Sequence, residues 1–156
     1  MRILAILTVK NEGAFLLDWL AHHRALGFTD FLVLSNDCSD GTNAMLDRLA
    51  AIGWLTHLRN PAPHPQGPQW EALKLASKHP QLASADWIMT LDIDEFVNVH
   101  VGARTVPALL EALPGADAIA LSWRLFGNDG VVEYVDRPVT EQFLQAAPAQ
   151  MLWPWR

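Results

Sequence analysis

One cysteine, Cys38, in a chain of 156 residues leaves no partner for an intramolecular disulfide and fits a reducing compartment. Basic residues are few as well: eleven Lys and Arg against seventeen Asp and Glu give a net charge of −6. That balance argues against a general nucleic-acid or anionic-membrane binder, because either needs a basic surface. No apolar run is long enough to cross a membrane. Arg2 and the apolar residues to Val9 are too short for a secretory signal and lack a small-residue cleavage pattern, so they read as a first strand. The expected location is cytoplasmic, or peripheral to a membrane. Also missing is a glycine-rich phosphate loop of the Walker or dinucleotide kind, so no helix N-terminus after the first strand cradles phosphates.

What is present is 51% hydrophobic and of single-domain length, enough to bury about 68–70% of the unfolded surface. Ile3 to Val9 is nearly continuous in apolar character, as a central parallel strand covered on both faces should be. Leu16, Trp19, Leu20, His23 and Leu26 then repeat at helical spacing and Gly27 supplies a stop. His23 on that stripe reads as a packed, hydrogen-bonded histidine. Phe31–Leu34 is a second strand, and a helix follows with Asp40 as its cap, Met45, Leu46, Leu49 and Ile52 inward and Gly53 at its end. Residues 54–58 form a weaker third strand, and the Pro-rich stretch 60–68 a surface loop. A helix from about Gln69 to Lys78 turns Trp70, Leu73 and Ala76 inward. Trp87–Leu91 is a fourth, buried strand. A helix capped by Thr105, with Leu109, Leu110 and Leu113 inward, precedes a fifth strand at 118–123. Such alternation predicts an α/β fold with a mostly parallel sheet and helices on both faces.

Ligands of open α/β sheets bind outside the carboxyl ends of the strands. Three polar corners fall there: Lys10-Asn11-Glu12, Asn36-Asp37 and Asp92-Ile93-Asp94-Glu95. In an extended chain Asp92 and Asp94 share one face, with Cα atoms roughly 6.5–7 Å apart, while Ile93 turns to the other. Such a pair can converge on a hard divalent cation, Mn²⁺ or Mg²⁺, of which Mg²⁺ typically takes one or two carboxylates plus substrate phosphates. The metal then does what a glycine-rich loop does elsewhere, and neutralises a diphosphate leaving group. With Asp40 assigned to the helix cap, Asp37 is left to accept from a nucleobase N–H or a ribose hydroxyl. Cys38 has no activating base in the sequence and reads as a small loop residue.

Together, Thr8-Val9-Lys10-Asn11-Glu12, Asn36-Asp37-Cys38-Ser39-Asp40-Gly41-Thr42 and Leu91-Asp92-Ile93-Asp94-Glu95-Phe96 resemble the family 2 glycosyltransferases of Rossmann-like GT-A fold. The resemblance extends through Trp123–Gly130 and Pro138–Phe143. It implies a three-layer nucleotide-sugar-binding core over residues 1–125 and the start of an acceptor-side region over 126–156. It further implies a nucleoside-diphosphate sugar donor, a saccharide or lipid-linked acceptor, and transfer with inversion. Asp37 would then contact the base, Asp92 the ribose or metal, Asp94 the metal, and Gln69 the donor. Position 36, commonly Asp in that family, is Asn here. Inversion requires a base for the acceptor hydroxyl, for which Glu141 is the first candidate and Asp129 the second.

Two other enzymes use comparable carboxylates. A nucleotidyltransferase would need a basic, glycine-rich loop after the first strand, and an aspartyl phosphohydrolase would carry Asp-x-Asp after the first strand instead of the fourth. The remaining alternative is a donor-binding fragment without transfer. Trp153-Pro154-Trp155-Arg156 reads as an interrupted chain whose two exposed tryptophans favour self-association.

Overall fold

The computed structural model describes residues 1–128 and 130–148. Asp129, Trp153 and Trp155 lie outside the described residues. Two compact units divide the chain, Met1–Pro114 and Gly115–Arg156.

In the first unit four strands make one all-parallel sheet in the order β3-β2-β1-β4, with β1 at Ile3–Val9, β2 at Asp30–Ser35, β3 at Thr56–Arg59 and β4 at Trp87–Leu91. Alternate residues of β1 feed two cores. Ile3, Ala5, Leu7 and Val9 join Phe31, Val33, Leu16, Trp19, Leu20, Leu46 and Leu49, which places α1 (Gly13–Ala25) and α2 (Thr42–Ala51) on one face. Leu4 and Ile6 join Leu32, Leu34, Ala72 and Ala76, which places α3 (Pro68–Ala76) on the other, where Leu82 of α4 (Pro80–Ser84) also packs. The result is an α/β three-layer, Rossmann-like fold. The chain steps outward from β1 to β3 and then returns to the far side of β1 as β4, so the order reverses between β1 and β4. Ligand crevices of open α/β sheets form at such reversals.

Helix α1 ends where its glycine requires it. Gly27 has φ +97°, and an added Cβ would lie 2.8 Å from Pro107 Cδ on α5 (Val106–Ala112), so both conformation and space exclude a side chain. Thr105 caps α5 as expected, accepting from Ala108 N–H.

Several expectations are corrected. Of the α3 residues expected inward, Ala76 is buried and Leu73 packs against the same core, but Trp70 is 65% exposed and Ala72 faces the sheet in its place. Ile52 and Leu113, expected inward, are half exposed at the last turns of their helices. Strand β4 is only half buried: Trp87, Met89 and Leu91 pack inward while Ile88 is 46% exposed, since β4 lies at the sheet's edge. Residues 118–123 form no strand. A β-prone sequence needs a neighbour to complete its ladder, and among the described residues of the second unit the pairing is a single antiparallel bridge between Phe126 and Ala146. The described helix there is α6, Val139–Gln142.

His23 is fully buried. Its Nδ1–H donates to Trp19 O at 2.8 Å, and Nε2 accepts from Val97 N–H at 3.4 Å, which defines the neutral tautomer. Burial lowers its pKa from 6.5 to about 4. The unfolded state therefore binds the proton first, so stability is full above about pH 6.5 and is lost as pH falls toward 4, by about 3 kcal/mol. Melting temperature followed from pH 7 to pH 4 should fall steeply in the wild type and less in His23→Gln; equal slopes would show that His23 does not carry the effect.

Candidate functional site

Strands β1, β2 and β4 deliver the three polar corners to the carboxyl edge of the sheet, all within Met1–Pro114. The corner after β4 is a tight turn. Glu95 N–H donates to Asp92 O at 3.1 Å, and the Glu95 carboxylate turns back to accept from Asp92 N–H at 2.9 Å. Glu95 is thereby committed to closing the turn. Ile93 packs against the core while Asp92 and Asp94 are exposed, so the two aspartates are both left facing solvent.

A residue that reads in the sequence only as core holds this turn in place. The Trp19 indole N–H is shared between Asp92 O at 3.1 Å and Glu95 O at 3.0 Å. Next to it on α1, His22 donates to Val97 O at 2.8 Å. Trp19 is fully buried, so the acid turn rests on the same ring that fills the core. A tryptophan on an apolar stripe that carries one polar atom was the available signal, since a buried indole N–H must find an acceptor.

The corner after β1 adopts the left-handed region at Asn11, φ +59°. Asn11 Oδ1 accepts from Ser39 N–H at 2.7 Å, tying the first corner to the second, and the Asn11 N–H lies 3.4 Å from Cys38 Sγ. Cys38 is thus packed between two corners. Glu12 immediately precedes α1. Its carboxyl is held above the ordinary range, first by burial and then by the negative charges of Asp94 and Asp40. Lys10 is exposed at the edge.

The corner after β2 is left-handed at Asp37, φ +44°. Asp40 accepts from the Thr42 hydroxyl at 2.6 Å and Thr42 N–H at 3.0 Å, and from Gly13 N–H at 3.4 Å. These bonds, the Thr42 hydroxyl foremost, hold its pKa below the usual carboxylate range. Gly41, not Asp40, is the N-cap of α2, so the capping carboxylate reaches in from one residue upstream and serves two helix starts. Asp37 is exposed, and one oxygen lies 3.4 Å from Ala62 N. Gln69, in the first turn of α3, reaches Asp92 Oδ1 at 3.5 Å. Glu141 lies in the second unit, exposed on α6, where it lines a groove with Val131, Val135, Arg137 and Gln142.

Ser35, His57 and Asp47 are connected in series, at 2.8 Å and 2.7 Å, in the order of a hydrolytic triad. Ser35 is 2% exposed, so no substrate reaches its hydroxyl, and the chain of bonds instead ties β2 and β3 to α2. Among the described residues no group of three or more His, Cys, Asp and Glu side chains is arranged to hold a metal ion. A cation here would draw on one or two carboxylates and take its other ligands from substrate and water, the usual arrangement for Mg²⁺.

The family model of glycosyltransferase family 92 matches residues 7–155. The chain belongs to glycosyltransferase family 92. The resemblance to family 2 is therefore met at the level of a glycosyltransferase, and family 92 is the family shown. No curated protein matches the chain. Among solved structures the chain is similar to the crystal structure of S. aureus TarS, with 14% identity and a TM-score of 0.49 over 72% of this chain. It spans 19% of the TarS chain. No described helix of this glycosyltransferase-family chain is long and apolar enough to cross a membrane.

Two variants probe the site's construction. Trp19→Phe keeps the apolar bulk and deletes the shared donor; it should cost about 1–3 kcal/mol in denaturant unfolding and speed amide exchange across residues 92–97. Unchanged exchange there would mean the indole does not hold the turn. Glu12→Gln should raise stability at pH 7 by under about 1 kcal/mol. The sign follows from the raised carboxyl: its ionised form is disfavoured in the folded state, so the gain appears as pH rises through the carboxyl's range and vanishes below pH 4. Melting curves at pH 4 and pH 7 test it.

Proposed function

We propose that this chain carries the donor half of a glycosyltransferase that takes a sugar from a nucleoside-diphosphate sugar and transfers it, with inversion, to a saccharide or lipid-linked hydroxyl. The observation that carries the reading is the convergence of three polar corners on the carboxyl edge at the β1/β4 reversal, in a chain of this family. The GT-A form of the fold, with its Asp-x-Asp pair, belongs to the same reading.

Each residue has a part that its surroundings support. Asp37 accepts from the nucleoside, since its carboxylate is exposed and Asp40 does the capping. Asp92 and Asp94 would hold Mn²⁺ or Mg²⁺, which when bound neutralises the diphosphate as it leaves. The donor set fits such a cation: hard oxygens, both exposed, with Asp94 adding, after burial, to the rise of the Glu12 carboxyl pKa. Gln69, within reach of Asp92, orients that carboxylate or a donor hydroxyl, and Lys10, Asn11 and Glu12 line the adjoining edge. Glu141 takes the proton from the acceptor hydroxyl as the new glycosidic bond forms at the anomeric carbon and the bond to the diphosphate breaks.

Calorimetry with a nucleoside diphosphate in the presence of Mn²⁺ tests the donor site. Asp94→Ala should abolish metal-assisted binding and Asp92→Ala should weaken it about tenfold or more, both with little change in melting temperature because the side chains are exposed. An affinity in Asp94→Ala equal to the wild type, with or without EDTA, contradicts the metal assignment.

A further inference from the structure

Asn36 and Asn60 are 4% and 3% exposed, and their side chains form a buried pair at the end of β2. Asn60 is fixed by its own backbone, donating N–H to Ser35 O at 2.9 Å and accepting at its carbonyl from His64 Nε2 at 2.9 Å. Its side-chain amide lies 2.9 Å from Pro68 O and 2.5 Å from Asn36.

These contacts settle which way each amide is turned. Pro68 O can only accept, so the Asn60 atom facing it is the nitrogen. That nitrogen has a second hydrogen, which is aimed at Asn36 and requires an oxygen there. Asn36 Oδ1 therefore faces inward and its NH₂ faces away. The nitrogen makes no hydrogen bond among the described residues, and it is not sealed from solvent, the fully buried unpartnered atoms there being Asn43 Oδ1 and Gln81 Oε1. The next residue is Asp37, whose carboxylate meets Ala62 N–H. Both side chains thus abut the same short stretch, Asn60 to Ala62, and one corner presents an oriented N–H donor beside a carboxylate acceptor.

We propose that Asn36 determines nucleotide specificity: its N–H donates to an acceptor on the pairing edge of the base, next to the N–H that Asp37 accepts. Asn60 is the positioning residue that holds the amide in that sense. The inference rests on the reading of Asp37 as the nucleoside acceptor.

Aspartate at position 36 is the sharpest test, because it keeps an oxygen toward Asn60 and turns the outward donor into an acceptor. A corner with two acceptors suits a base edge with two adjacent N–H groups, which guanine has and uracil, cytosine and adenine lack. Calorimetry with UDP, CDP, ADP and GDP in the presence of Mn²⁺, on the full chain, should show Asn36→Asp losing affinity for the first three, relative to GDP, by about tenfold or more. Its melting temperature should fall modestly, because the new carboxylate is mostly buried beside Asp37, so the affinity ratios carry the test. Asn60→Asp removes the donor that holds Asn36, so the Asn36 amide turns its NH₂ inward. The same relative loss should follow without any change to a ligand-facing residue, accompanied by a lower melting temperature from the carboxylate against Pro68 O. An Asn36→Asp variant with the wild-type order and ratios of affinity overturns the inference. Asp37→Ala separates it from the underlying reading: nucleotide binding lost there but ratios unmoved in Asn36→Asp overturns the specificity role alone. Binding intact in Asp37→Ala, or absent in the wild type for all four diphosphates, overturns both.

Discussion

The acid turn after β4 depends on one indole N–H. Trp19 places an aromatic ring in the main core and spends its single polar atom on two carbonyls, Asp92 O and Glu95 O, which are the ends of the acid turn. A turn of four residues at a sheet edge has few contacts of its own, and to these the exposed Asp92 adds one long contact, with Gln69 at 3.5 Å. Packing supplies the rigidity that the turn lacks: helix α1 cannot shift without opening the core, so the carbonyls that Trp19 holds cannot shift either. His22 and His23 extend the grip to Val97, the first buried residue beyond the turn.

That rigidity holds together groups that repel one another. Glu12, Asp94 and Asp40 share the edge, and the Glu12 carboxyl is raised first by its burial and then by the charges of the other two. Asp40 escapes by accepting three hydrogen bonds from the backbone and hydroxyl of two helix starts. Glu95 escapes into the turn. Asp92 and Asp94 have no comparable outlet, apart from Gln69 at 3.5 Å from Asp92. Asp37 is in a similar position, with one long contact to Ala62 N at 3.4 Å, so the exposed carboxylates of this edge keep charge that the backbone does not meet.

Much of this was legible from the sequence. Continuous apolar runs at Ile3–Val9 and Phe31–Leu34 announced the central strands, and period 3.6 with a glycine stop announced α1 and α2. The corners followed from topology, because a parallel sheet puts every strand's carboxyl end on one side. Where reading by pattern failed, the missing information was tertiary. Trp70 looks inward by size and spacing, but α3 meets the sheet along Ala72 and Ala76, where small side chains let the helix approach closely. Residues 118–123 have strand composition, yet composition does not supply a pairing partner. The work of Trp19 and of the Asn36–Asn60 pair was invisible for a related reason: Trp19 reaches the acid turn 73 positions away and Asn36 reaches Asn60 24 positions away, which no local pattern encodes.

The division of the chain bears on how binding and transfer relate. All three corners lie in Met1–Pro114, which has its own sheet and both cores. Recognition of a nucleotide by the proposed residues would therefore be a property of that unit. Deprotonating an acceptor is a different demand, because a general base acts only within hydrogen-bond reach of the proton it takes. The candidate base Glu141 stands on a four-residue helix, and the groove around it is organised locally, with the Gln142 amide donating to Val135 O and Arg137 O at 3.1 Å and 2.5 Å. Donor binding by the proposed residues would draw on side chains held by a buried sheet, whereas catalysis would draw on a short exposed helix held by loop carbonyls. Affinity for the nucleotide and rate of transfer should accordingly respond to different substitutions, the first to changes around Asp37, Asp92 and Asp94 and the second to changes around Glu141.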